Sequence, residues 1–200
     1  SEMDNNILDV TDRLLLSGKY DELSKLAYNR EIGPFVITRA LAAYQRTIIS
    51  GKSDYDSYNS GNSGALTASQ KRGKSLFFSD KTNCSSCHSG FNFTNYSYQN
   101  IGLYVNYADT GRMRITLNES DRGKFMVPTL RNIQHTGPYM HNGSINTLEE
   151  VVDFFNSGGQ HNQNKSNLVK ELFLTETEKT DLVNFMKSLT DKEFLTKNWK

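Results

Sequence analysis

The chain has 200 residues, with 23 basic and 22 acidic side chains and a formal charge of +1. That length suits one domain with an extension or two small domains, and it folds without needing disulfides. The balanced charge offers no basic stripe for nucleic acid, and no stretch approaches the ~20 apolar residues of a membrane span. The polar start "SEMDNNILDV" is not a signal peptide, so the chain reads either as cytoplasmic or as lacking a removed upstream segment.

Helical patterns dominate. "ILDVTDRLLL" (7–16) and "YDELSKLAYN" (20–29) read as the first two helices. In "FVITRALAAYQRTIIS" (35–50), Ile37, Leu41, Tyr44 and Ile48 fall on one stripe. The Ser-, Gly- and Asn-rich run "SGKSDYDSYNSGNSG" follows as a loop, with one helical turn at Tyr55–Tyr58. Three helices then announce their starts with capping boxes: "TASQ" opens 68–79, "TLEE" opens 148–157 and "TETE" opens 176–189. In the second, Leu148, Val151, Val152 and Phe155 turn inward; in the third, Leu182, Phe185, Met186 and Leu189 do. Between Phe91 and Pro138 the pattern is irregular, and the alternation in "RMRITL" (112–117) suggests a short strand. "SGGQHNQNKSN" (157–167) is a polar loop, and neither an internal repeat nor a βαβ rhythm is present.

The chemistry concentrates in "NCSSCHSG" (83–90), which holds both cysteines of the chain and a histidine directly after the second. A thioredoxin-like site needs Cys-x-x-Cys at a helix start in a βαβ setting, which the sequence lacks. A structural zinc site wants four closed ligands; Cys84 and Cys87 give one pair, but His135 and His141 are spaced too widely for the second, and His88 would be idle. A c-type haem uses the whole motif: two thiols for the vinyl groups and His88 for the iron. A helix before the motif, a long irregular stretch and a final helix give the order of a small cytochrome c, with Gly73 and Phe77 expected to cross Phe185.

Four segments, "FVITRALAAYQRTIISG", "LTASQKRGKSLFFSDKTNCSSCHSGFNFT", "DRGKFMVPTLRNIQHTGPYMHNGSINTLEEVVDFF" and "LTETEKTDLVNFMKSL", resemble the carboxy-terminal part of bacterial dihaem cytochrome c peroxidases and of the MauG oxidases. The resemblance implies an all-α, cytochrome c-like domain over 66–200 with few short strands. It also implies a helical segment over 1–65 that links to a missing amino-terminal haem domain. It further implies one covalent haem c on Cys84, Cys87 and His88, export to the periplasm, and a small redox donor (a cytochrome c or cupredoxin). A homodimer is expected, with no nucleic-acid partner and no membrane span in this chain. Glu2 matches a distal carboxylate that moves protons at the peroxide-reacting haem. Thr136 and Pro138 match backbone-carbonyl ligands of a calcium ion, and Arg131 and Asn132 are candidates for the haem propionates. The family's second iron takes its sixth ligand, Met or Tyr, fourteen residues after the "PYMH" histidine. Here that position is Phe155, which cannot ligate iron; the expectation is either a five-coordinate iron or a substitute ligand, with Met126, Met140 and Met186 as the candidates. The implied activity is electron transfer within a peroxide-reducing dihaem enzyme. The alternatives are a MauG-like oxidase of a protein side chain, a monohaem carrier, and an apo or zinc-binding helical module.

Overall fold

This computed structural model describes residues 5–197, so Glu2 lies outside the described residues. The chain forms two compact units, residues 1–49 and 50–200. The sequence reading put the division at 65. By compactness the segment 50–65 packs with the second unit, where Gly51, Lys52 and Asp56 bond side chains.

The first unit contains α1 (Ile7–Ser17), α2 (Asp21–Tyr28) and α3 (Pro34–Thr47). Asn6 caps α1 by accepting from the Leu8 amide, and Gly18 ends it in a left-handed conformation. Asn29 ends α2 in the same way, and Pro34 opens α3 at its first position. Val36 and Ile37 are buried. The stripe expected on α3 is not: Leu41 is 58% exposed and Tyr44 46%, and Ile48 lies beyond the helix end.

The second unit carries the remaining elements: α4 (Asp54–Asn59), α5 (Ala68–Phe77), α6 (Cys84–Cys87), α7 (Met113–Thr116), α8 (Leu148–Asn156), α9 (Glu176–Lys187) and α10 (Lys192–Thr196). Two 3-10 turns, Glu119–Asp121 and Ile133–His135, and two strands, β1 (Tyr98–Gln99) and β2 (Phe125–Met126), complete it. The strands pair antiparallel, Tyr98 opposite Met126 and Gln99 opposite Phe125. All three expected capping boxes form, at Thr67/Gln70, Thr147/Glu150 and Thr175/Glu178. A fourth, Ser53/Asp56, starts α4.

The strand expected at 112–117 is a helical turn instead. Gly111 and Leu117, both at positive φ, bound α7, and Thr116 bonds Asp121. The alternation there does not report burial, because Ile115 and Leu117 are both more than four-fifths exposed.

The core forms where α5 crosses α9. Phe77, Phe93 and Phe185 meet there with ring centroids 5.1–6.4 Å apart, a spacing suited to edge and tilted packing. Leu148 and Val152 of α8 join from the side, together with Leu172, Leu174, Leu182, Val183, Met186 and Leu189. The fold is all-α in character, as read from the sequence.

Candidate functional site

The Cys-Ser-Ser-Cys-His motif is a single helical turn hung from the end of α5. Thr82 donates its hydroxyl to the Leu76 carbonyl at 2.6 Å, and Asn83 turns the chain with φ 54°. The His88 amide bonds the Cys84 carbonyl at 2.9 Å, which closes the turn. Cys84, Cys87 and His88 thus line one cavity. Asn95 holds the far side of the turn, donating its amide to the Cys87 carbonyl and its side chain to Ser86.

The His88 ring is oriented by backbone. Its Nδ1 lies 3.0 Å from the Phe93 carbonyl. Donation of the Nδ1 proton to that carbonyl leaves Nε2 as the electron-pair donor, the arrangement a metal-binding histidine uses. Burial lowers the pKa of His88, against the raising effect of the Phe93 and Pro128 carbonyls. Phe93 has φ 50° and is almost fully buried. A bulky residue in that conformation is unusual; here its ring is held among Tyr55, Phe77 and Phe185 while its carbonyl meets His88.

The cavity measures about 570 Å3, within the size range of small-molecule sites. Phe77, Leu182 and Met186 form one part of its wall, and Leu148, Val151, Val152 and Phe155 another. Val127, Pro128 and Ile101 also line it. Burial pushes both the Cys84 and the Cys87 thiols up. That is the opposite of the lowered thiol a thioredoxin-like centre needs. Among the described residues, no three His, Cys, Asp or Glu side chains are grouped to hold a metal ion, so a closed zinc set is not assembled. The donor set does fit a c-type haem: two thiols and an oriented imidazole at an apolar chamber. Of the substitute sixth-ligand candidates, Met126, Met140 and Met186 all reach the same cavity, as does Phe155.

The other expected site residues separate into two groups. Thr136 and Pro138 also line the cavity. Arg131, which lines the cavity, and Asn132, both expected at propionates, also bond within the protein. Arg131 donates Nη1 to Asp56 at 2.6 Å and Nε to the Phe91 carbonyl at 2.8 Å. Asn132 donates to Ser50 and accepts from the Asp191 amide. Both side chains are buried and hold the 50–56 segment in place, and Arg131 also lines the cavity. Sequence reasoning did not single out Phe93, Gln99, Tyr107 or Lys170. The carbonyl role of Phe93 leaves no side-chain signature; the two-residue strand β1 brings Gln99 to the cavity, and loops bring Tyr107 and Lys170.

A turn of this kind, joined to a crossed pair of helices over an apolar chamber, defines a cytochrome c domain. Residues 70–190 match the sequence model of the cytochrome c family, and residues 1–64 match that of the di-haem cytochrome c peroxidases. The chain belongs to the cytochrome c family, in its dihaem peroxidase and MauG branch. It is 36% identical to the cytochrome-c peroxidase IdrP1 of Pseudomonas sp. (strain SCT), over 78% of this chain and 49% of that protein. It is also 36% identical to the methylamine utilization protein MauG of Methylorubrum extorquens, over 94% of this chain and 54% of that protein. The chain thus spans about half the length of these relatives. A crystal structure of a MauG-like protein associated with microbial copper homeostasis superposes with a TM-score of 0.85 at 32% identity, covering 96% of this chain and 64% of that one. The diheme peroxidase BthA from Burkholderia thailandensis shares the fold, with a TM-score of 0.59 at 23% identity over 72% of this chain and 47% of that one.

Proposed function

We propose that this chain is the electron-transfer half of a longer dihaem cytochrome c peroxidase-type oxidoreductase. The observation that carries the reading is the placement of Cys84, Cys87 and His88 on one apolar cavity, in a chain whose two segments match the two family models. Cys84 and Cys87 would each add S–H across one vinyl group, and His88 would bind the iron through Nε2. A haem held there supplies one-electron transfer. The residues of this chain do the rest. The turn 84–88 fixes the group in place, Phe93 fixes the imidazole, and the Leu, Val and Phe walls exclude water.

The reaction of the whole protein is then the reduction of hydrogen peroxide with electrons from a small donor, a cytochrome c or cupredoxin. The present domain accepts an electron and relays it to a second haem domain. Glu2 moves protons at that second haem, and the Thr136 and Pro138 carbonyls help hold a calcium ion between the domains. The protein is exported to the periplasm, where haem is attached, and works as a homodimer.

A MauG-like oxidase, acting on a protein side chain, is the second reading. It is favoured by the 94% and 96% coverage of this chain by two MauG-type proteins. The two readings separate on the full-length protein made in a haem-attaching host. Rapid peroxide-dependent oxidation of a reduced small cytochrome supports the peroxidase. Negligible donor oxidation with peroxide still consumed supports the oxidase.

A further inference from the structure

A porphyrin with two propionates cannot meet apolar wall on every side. Its carboxylates need polar partners, since an unpaired buried charge is costly. The lining of the cavity contains no aspartate or glutamate, and its two cationic chains are Arg131 and Lys170. Arg131 is committed to Asp56 and the Phe91 carbonyl. Lys170 has no ion-pair partner among the described residues, and the next residue, Glu171, turns its side chain towards Gly158.

Lys170 shares the cavity lining with two other polar residues, Gln99 and Ser166. The segments that carry Gln99 and Ser166 are joined by backbone. The Ser166 amide bonds the Asn100 carbonyl at 2.8 Å, joining the loop after α8 to the end of β1. The Gln160 amide bonds the Gly102 carbonyl at 2.6 Å, a second stitch between the same segments. Asn100 is fully buried and donates to both Asn162 and the Arg122 carbonyl, which locks the loop. Gln99 faces Phe125 across the ladder, and the His141 ring stacks on Phe125 at 3.8 Å. Gln99, Ser166, Lys170 and His141 thus all line the chamber, with the segments of the first two joined by backbone bonds.

We propose that Gln99, Ser166 and Lys170 are the carboxylate-binding end of the cavity, with Lys170 as the charged partner of a haem propionate. This rests on the haem reading of the site. An ammonium at a propionate is a charge-assisted contact, and a positive charge beside the porphyrin favours the less positive, reduced iron. Lys170 acts through the propionate and is a positioning residue.

The test is a potentiometric titration of the intact haem-loaded protein at low ionic strength, where screening is weak, with K170Q and K170R beside the parent. Low-frequency resonance Raman spectra of the same samples read the propionate bending modes. The proposal expects K170Q to lower the midpoint potential of this haem and to shift those modes, K170R to restore both, and thermal unfolding to stay unchanged. A haem-loaded K170Q with the parental potential and parental propionate modes overturns the assignment alone. A parent that carries no covalent haem overturns the haem reading and this assignment with it.

Discussion

Gly73 of α5 lies directly against the backbone of Asp181 in α9. A Cβ at Gly73 would overlap the Asp181 carbonyl and come within 2.8 Å of the Phe185 Cβ. The two helices therefore touch backbone to backbone, and Phe77 and Phe185 pack one turn further on, with ring centroids 5.1 Å apart. Replacing Gly73 by Ala should push the helices apart and destabilise the second unit by about 1–3 kcal/mol, the usual cost of overpacking. Thermal unfolding measures this directly; an unchanged midpoint would contradict the close approach.

Arg131 and Asp56 form a mostly buried ion pair at 2.6 Å. Removing one partner leaves an uncompensated charge, so Asp56→Ala should cost about 3–5 kcal/mol at neutral pH. Burial pushes the Asp56 pKa up, but hydrogen bonds from Arg131 and Ser53 outweigh it and hold the carboxyl below its ordinary value. A lowered folded pKa means that the pair's stability is fully present above the ordinary aspartate value. It is lost as the pH falls through the folded value. Denaturant unfolding of parent and variant should therefore differ most near neutrality and converge in acid. A gap that widens with acidification would refute the assignment.

Much of this arrangement was legible in the sequence. Thr67, Thr147 and Thr175 gave three helix starts because a capping box is a local signal. The Gly73–Phe77–Phe185 crossing was readable once the haem motif placed a cytochrome c order on the chain. What failed needed tertiary information. The α3 stripe from Ile37 to Ile48 is periodic but its outer part is exposed. The alternation in 112–117 was overruled by a Gly111 turn and the Thr116–Asp121 bond. The Arg131–Asp56 pair was not legible, because a guanidinium suits an aspartate 75 residues away as well as a propionate.

Phe155 packs against the core and lines the cavity without a donor atom. Phe155→Met places a thioether at the same point. The near-infrared Met–iron charge-transfer band should be absent from the haem-loaded parent and present in F155M, with a raised reduction potential. A strong band in the parent would mean that Met126, Met140 or Met186 already supplies the ligand.

The two thiols should act as covalent tethers. With Cys84→Ala and Cys87→Ala combined, any haem retained should pass into acidified organic solvent. The parent should keep its colour with the polypeptide. Equal extraction from both proteins would rule out thioether attachment.

The measurement that bears most directly on the central claim is the alkaline pyridine spectrum of the chain, reduced with dithionite after production in a haem-attaching host. The account predicts the spectrum of a haem with both vinyl groups saturated, at one haem per chain. A spectrum without haem, or one with intact vinyl groups, would contradict the assignment of Cys84, Cys87 and His88.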